Sequence, residues 1–553
     1  MKRCATCGQE NDEWRPFCTR CGASYTGAAA EPVLTPPPPG APPAPVPPPP
    51  PGLPGAPGTP SSPPPPRRRH SARLVGVAAV VVVIVAVAAF VGLSAGGHDN
   101  KKATAPTTTF PATWDPRVTD LIQFDSAERK LDYTHPVKVV VLSDAEFKKR
   151  VTTDDSKLTA KDRSDLQHAT EELRALGMLE GKVDLFARLN QLNGSSILAF
   201  YDTKKKEVVI PGSTLDVEQK VTLSHELTHT LDDEHFDLTR LDKLGEAHGT
   251  DAITALVEGD ATWVENQYIA KLSTADRKAY EKSQQNQASP EDFAGIPKII
   301  EVLQQWPYDF GEQFVSILQS EGGQPRVDAA FKSPPIDQEQ VIDPIAFLQN
   351  DRPGPISLPA LPRGVKKLDS GKEFGALMWY LVLSERIDAH VALKAALGWG
   401  ADSYAVATES GRTCIDVHYR GETRRDNSEM MTALRAWIAA LPKGMATVKA
   451  NSDDTLSLHS CDPGVAAKVV TDRSVAAYPL LLFRVAVVKE FMGAGLTPKL
   501  ATCAADGVTG RTTVSELSGN GPAVLQDAAA LRQIATGCRS AVVSGNPTDK
   551  IDK

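Results

Sequence analysis

At 553 residues the chain exceeds what one ordinary domain needs and can bury at least two cores. Its formal net charge is −8 with no large basic block, which argues against nucleic acid as the main partner.

Residues 1–27 contain two CxxC pairs, Cys4/Cys7 and Cys18/Cys21, each followed by a glycine, Gly8 and Gly22. Four thiolates so arranged suit a tetrahedral structural zinc, and the glycines let the backbone turn tightly behind each pair. A zinc ribbon is expected here, with a redox CxxC unit as the rival reading. Such a closed site implies a binding or sensing module, with a cytoplasmic protein as its partner. Residues 28–72 form a proline-rich linker that cannot pack as a domain, because proline fixes its own backbone and gives up a donor.

An uncharged apolar run at 74–93 has the length of a bilayer-spanning helix, so a transmembrane helix is expected over 73–95. Arg67, Arg68, Arg69 and Arg73 precede it, whereas the following flank reaches its first lysine only at Lys101. The positive-inside rule then predicts a single-pass cell-membrane protein with a cytoplasmic N-terminus and an extracellular remainder. Residues 96–114 read as a second linker.

Within 115–390, residues 225–229 read His-Glu-Leu-Thr-His. Positions four apart lie on one helix face, so His225 and His229 can hold one metal while Glu226 serves as a base beside it. The runs SILAFYD (196–202) and EVVIPG (207–212) predict a β-hairpin just before the motif. A helix is then predicted from about 217 to 236, on which Val221, Leu223, Leu227 and Leu231 recur at helical intervals and which Asp216 or Ser224 could cap.

Two histidines leave a catalytic zinc site one ligand short. His235 stands at the third-histidine spacing of HExxHxxGxxH, but Asp232 occupies the glycine position and the next methionine is Met378. On an unbroken helix His235 also points well away from the other two. Glu258 is the better candidate: it lies in a second predicted helix, with Asp251, Ala255, Thr262 and Glu265 on the same face. A carboxylate inside the apolar run AITALVEGDATWV is costly to bury without a cation.

The set His225, Glu226, His229 and Glu258, with the hairpin before it, resembles the gluzincins, the thermolysin-like branch of zinc metallopeptidases. HELTHTLDDEHFDL, ALVEGDA, WPYDFGEQFV and ALGWGADSY look more narrowly like a group of uncharacterised bacterial gluzincin-like proteins. The resemblance covers about residues 190–275 and implies a zincin-like domain with one catalytic zinc. It also implies peptide-bond hydrolysis by zinc-activated water with Glu226 as general base, the hairpin edge aligning an extended peptide or protein substrate. The family's Asp four residues after the glutamate ligand is here Thr262, which opens the histidine-orienting role to Asp232, Asp251 or Asp260. Tyr308, His235 and His248 are candidates to stabilise an oxyanion, although buried tyrosines and surface histidines are ordinary.

Phe310, Phe314 and Leu318 read as core, residues 391–465 as a small α/β appendage, and 466–545 as a helical module tied by a disulfide. Sequence proximity favours Cys414–Cys461 and Cys503–Cys538. The expected fold class is multidomain α+β, with a zincin-like domain behind one transmembrane helix. The expected function is an extracytoplasmic zinc metallopeptidase, with a catalytically silent zinc-binding scaffold of the cell envelope as the alternative.

Overall fold

The computed structural model describes residues 2–3, 10–11, 110–212, 215–248, 250–286, 290–371, 373–518 and 521–543. The chain divides into two compact units, Met1–Arg67 and Arg68–Lys553. In the first, β1 (Lys2–Arg3) pairs antiparallel with β2 (Glu10–Asn11), Lys2 opposite Asn11 and Arg3 opposite Glu10. Cys4, Cys7, Cys18 and Cys21 lie outside the described residues, as do the proline-rich linker and the apolar run at 74–93.

The architecture is mixed α+β, but the expected transmembrane helix is corrected. No helix among the described residues is long and apolar enough to cross a membrane, so the expected single span and the single-pass address built on it are not shown. The long apolar helices that are described serve a protein core instead. One of them, Arg473–Gly493, buries Arg484 in ion pairs with Asp343 and Asp506.

The second unit opens with α1 (Thr119–Arg129), β3 (Lys138–Leu142), α2 (Asp144–Val151), α3 (Ala160–Ala175) and α4 (Leu185–Ser196). A hairpin follows, β4 (Phe200–Asp202) pairing antiparallel with β5 (Glu207–Pro211), with Tyr201 opposite Val208. β5 also pairs in parallel with β3, giving a three-stranded sheet in the order β3-β5-β4. As the middle strand, β5 buries Val208, Val209 and Ile210 completely, and its β-branched run reflects cover on both faces.

Next come α5 (Val217–Phe236), α6 (Leu238–His248), α7 (Ala252–Lys271), α8 (Thr274–Asn286), α9 (Lys298–Gly322) and α10 (Gln324–Lys332). Short helices α11 (Glu339–Ile342) and α12 (Pro344–Leu348) lead to β6 (Lys366–Gly371), α13 (Ala376–Ser384) and α14 (Ala389–Leu397). β7 (Trp399–Glu409), β8 (Arg412–Gly421), α15 (Arg424–Ala439), β9 (Ala446–Ala450) and β10 (Leu456–Cys461) then complete an antiparallel sheet ordered β6-β7-β8-β10-β9. The chain continues through α16 (Arg473–Gly493), α17 (Pro498–Thr509), α18 (Val514–Leu517) and α19 (Ala528–Val543).

One apolar core runs continuously from Leu158 to Cys538 and includes Phe310, Phe314 and Leu318. A second joins α1 and the three-stranded sheet to Leu223 and Leu227 of α5, while Phe236 at the end of α5 belongs to the first. α5 therefore ties both cores together. Disulfides join Cys414 to Cys461 and Cys503 to Cys538.

Glu172 of α3 is buried, and burial, with a smaller contribution from Asp369, pushes its carboxyl up to about 8. The folded chain thus holds a proton that the unfolded chain gives up at the usual carboxylate pH. Stability therefore falls as pH rises from about 4.5 to about 8 and changes no further above that range. Glu172→Gln should abolish this slope and stabilise the protein by about 3 kcal/mol at pH 7. Denaturant midpoints of both proteins from pH 5 to 8.5 check it, and parallel curves would refute it.

Candidate metal centre

The sequence around the motif specifies its own helix. The Asp216 side chain accepts the Gln219 backbone N–H at 2.9 Å, and the Gln219 side chain accepts the Asp216 N–H at 3.1 Å, a capping box that starts α5. Ser224 lies inside the helix and donates instead to Asp125 Oδ1 at 2.6 Å. α7 starts after Asp251, whose side chain makes no capping bond.

His225, Glu226 and Glu258 are fully buried, and His229 is 5% exposed. Glu258 Oε2 lies 3.2 Å from His225 Nε2 and 3.4 Å from His229 Nε2. One atom from each of these three side chains falls within 4.8 Å of the others, so the group could hold a metal ion. Two features of the donor set fit a cation: His229 Nδ1 and Glu258 Oε1 are buried without a hydrogen-bond partner, and the three donor atoms converge.

The electrostatics point the same way. Burial works against charge on His225, yet its hydrogen bonds to Glu258 and Glu265 outweigh burial and raise it to about 10. Burial pushes Glu258 up, but His229 and His225 together hold it down to about 2. The pocket keeps a carboxylate ionised only by putting positive charge against it, the role a metal ion would fill.

Glu226 points at the hairpin. Its Oε2 accepts the Tyr201 backbone N–H at 2.8 Å, while Oε1 is buried without a hydrogen-bond partner. Burial raises its carboxyl above the usual range. The hairpin edge expected to align a peptide is therefore already engaged at Tyr201.

The carboxylate behind the His225 ring is Glu265, not an aspartate: its Oε2 lies 3.1 Å from His225 Nδ1. A carboxylate behind a ligating histidine fixes its tautomer and ring orientation. Glu265 stands seven residues after Glu258, two turns along the same face, and that spacing was the available signal. Asp232 and Asp260 turn instead to Arg129, which lies 2.6 Å from Asp260 Oδ2 and 3.3 Å from Asp232 Oδ1. Asp251 is only partly buried, at the start of α7, where burial raises its carboxyl to about 6. His235 donates from Nε2 to the Asp132 carbonyl at 2.9 Å, outside the group. His248 ends α6, and the Tyr308 ring stacks on His225 with centroids 6.4 Å apart.

α7, which bears Glu258, is set by a close crossing with α9. A Cβ on Gly259 would lie 2.2 Å from the Gly311 carbonyl oxygen, and one on Gly311 would lie 2.1 Å from that of Ala255. Only glycine permits this approach, and Gly259 follows Glu258 directly.

No family model, curated protein or solved structure matches the chain. The gluzincin resemblance rests on the residues alone. Glu258→Ala should abolish metal binding at this group whereas His235→Ala should leave it intact, as metal analysis of the purified variants would show. Loss confined to His235→Ala would overturn the ligand assignment.

Proposed function

We propose that this chain is a zinc-dependent metallopeptidase of gluzincin type, acting on peptide or protein substrates. Two imidazoles and one carboxylate form a donor set suited to zinc, and His225, His229 and Glu258 would hold it. When bound, zinc would supply Lewis acidity toward a substrate carbonyl and a water. A second, structural zinc at Cys4, Cys7, Cys18 and Cys21 belongs to the same proposal and rests on sequence alone.

The observation that carries the reading is Glu226. Holding an ion does not require a carboxylate there, yet Glu226 is buried beside the ligands with one oxygen anchored on Tyr201 and Oε1 open to a proton. In hydrolysis Oε1 would take the proton of the attacking water and deliver it to the departing amine. Tyr201 would keep the carboxylate pointed during both transfers, and Glu265 would hold the His225 ring.

The test is Glu226→Gln in the full chain. Zinc content should be unchanged while casein or peptide cleavage drops at least about a hundredfold. Undiminished cleavage would overturn the mechanism. The complete burial of His225, Glu226 and Glu258 favours a second reading, a metal-holding scaffold without turnover. Full zinc occupancy with no cleavage by the unaltered protein across a diverse peptide library would select it.

A further inference from the structure

A second group of metal-ligating side chains lies far along the chain, on one face of the five-stranded sheet. Successive strand residues point to opposite faces. On β8, Ile415, Val417 and Tyr419 enter the core, which puts Cys414 and Asp416 on the other side. β10 runs antiparallel to β8 with Cys461 opposite Cys414 and His459 opposite Asp416, so these four share that face. Glu409 joins them from β7, where Ala407 pairs with Cys414 and Glu409 with Arg412.

The contacts are those of a built coordination set. His459 Nδ1 lies 3.0 Å from Asp416 Oδ1. Its Nε2 therefore faces the other way, 3.3 Å from Cys461 Sγ and 4.0 Å from Glu409 Oε2. A carboxylate behind one ring nitrogen and a sulfur in front of the other is the arrangement that presents a histidine to a metal. Donor atoms of Glu409, Cys414, His459 and Cys461 all fall within 4.8 Å of one another. Both sulfurs are buried, while the His459 side chain is 35% exposed, so the group has a route to solvent. Cys503–Cys538 joins no such group among the described residues.

In the disulfide the sulfurs carry no thiolate charge, and thiolate is what a metal binds. We propose that Glu409, Cys414, His459 and Cys461 form a redox-gated site for a zinc-like divalent cation, closed by the Cys414–Cys461 disulfide and opened by reduction. The reductant is a dithiol: the Cys414–Cys461 bond breaks, the dithiol becomes a cyclic disulfide, and its two electrons and two protons leave Cys414 and Cys461 as thiols. Binding of the cation then releases both thiol protons to solvent. Two thiolates, one imidazole and one carboxylate complete a four-ligand closed set. The site is chemically separate from the histidine–glutamate centre and does not depend on its catalytic reading.

The test uses the full chain, reduced without air by a water-soluble phosphine, which does not compete for metal as a dithiol would. Cobalt(II) is the probe, because thiolate ligation gives it a near-ultraviolet charge-transfer band. Reduced protein should bind one more cobalt, with more of that band, than reduced Cys414→Ala/Cys461→Ala, the difference removing any contribution from the N-terminal cysteines. Asp416→Asn should weaken that added equivalent about ten- to a hundredfold. Equal cobalt and equal band intensity in the two reduced proteins would overturn the proposal. Circular dichroism of the double alanine variant guards the comparison: if it is unfolded, the disulfide is structural and the proposal fails.

Discussion

Arg129→Met should cost the fold about 3–5 kcal/mol, because it strands buried carboxylates that now share one guanidinium. Arg129 is fully buried, within 2.6 Å of Asp260, 3.3 Å of Asp232 and 3.2 Å of Asp328, and it donates to Gln324. Asp232 lies three residues after His229 on α5 and Asp260 two after Glu258 on α7. One cation from α1 thus fastens both ligand-bearing helices. Urea unfolding followed by circular dichroism measures the loss. Arg129→Lys should recover only part of it, since a point charge cannot bridge carboxylates as a planar fork does. A loss under about 1 kcal/mol for the methionine variant would show that the three carboxylates need no common partner.

Gly259→Ala should be comparably damaging for a steric reason. The new Cβ would meet the Gly311 carbonyl oxygen at 2.2 Å and its Cα at 2.7 Å, backbone atoms that cannot rotate away. The α7–α9 crossing must open, at about 3 kcal/mol or more, the upper end of overpacking costs. Glu258 moves with its neighbour, so metal affinity should fall even where the variant stays folded, because ligating geometry tolerates only about half an ångström. Gly493→Ala on α16 is the control: its Cβ meets nothing within 4 Å, and stability should hold or rise slightly. Equal behaviour of the two variants in chemical denaturation and metal competition would refute the argument.

The readable parts of this protein were those fixed by local chemistry. α5 could be placed from 217 to 236 because its cap, its apolar period and its length all lie within one stretch of chain. Glu258 stood out as a carboxylate in an apolar run, and each disulfide joins cysteines near in sequence, 47 and 35 residues apart. What the sequence hid was pairing at a distance. Arg129 reaches Asp232 across 103 positions, and the group that fixes Glu226 is a backbone N–H, for which no residue type gives a sign. Two of the three aspartates expected beside the histidines, Asp232 and Asp260, went to Arg129, because an unpaired buried carboxylate is far costlier than an unoriented imidazole. The expected transmembrane helix falls on a run outside the described residues, and no described helix supports it.

The burial of the histidine–glutamate centre has a kinetic meaning. With His225 and Glu258 fully enclosed, His229 at 5% exposed is the one residue of the three that reaches solvent, so an ion has a narrow doorway. Widening it takes a local opening of α5 and α7, so the residence time of a bound ion would depend on how often these helices part as well as on bond strength. Since α5 belongs to both apolar cores, that event is rare.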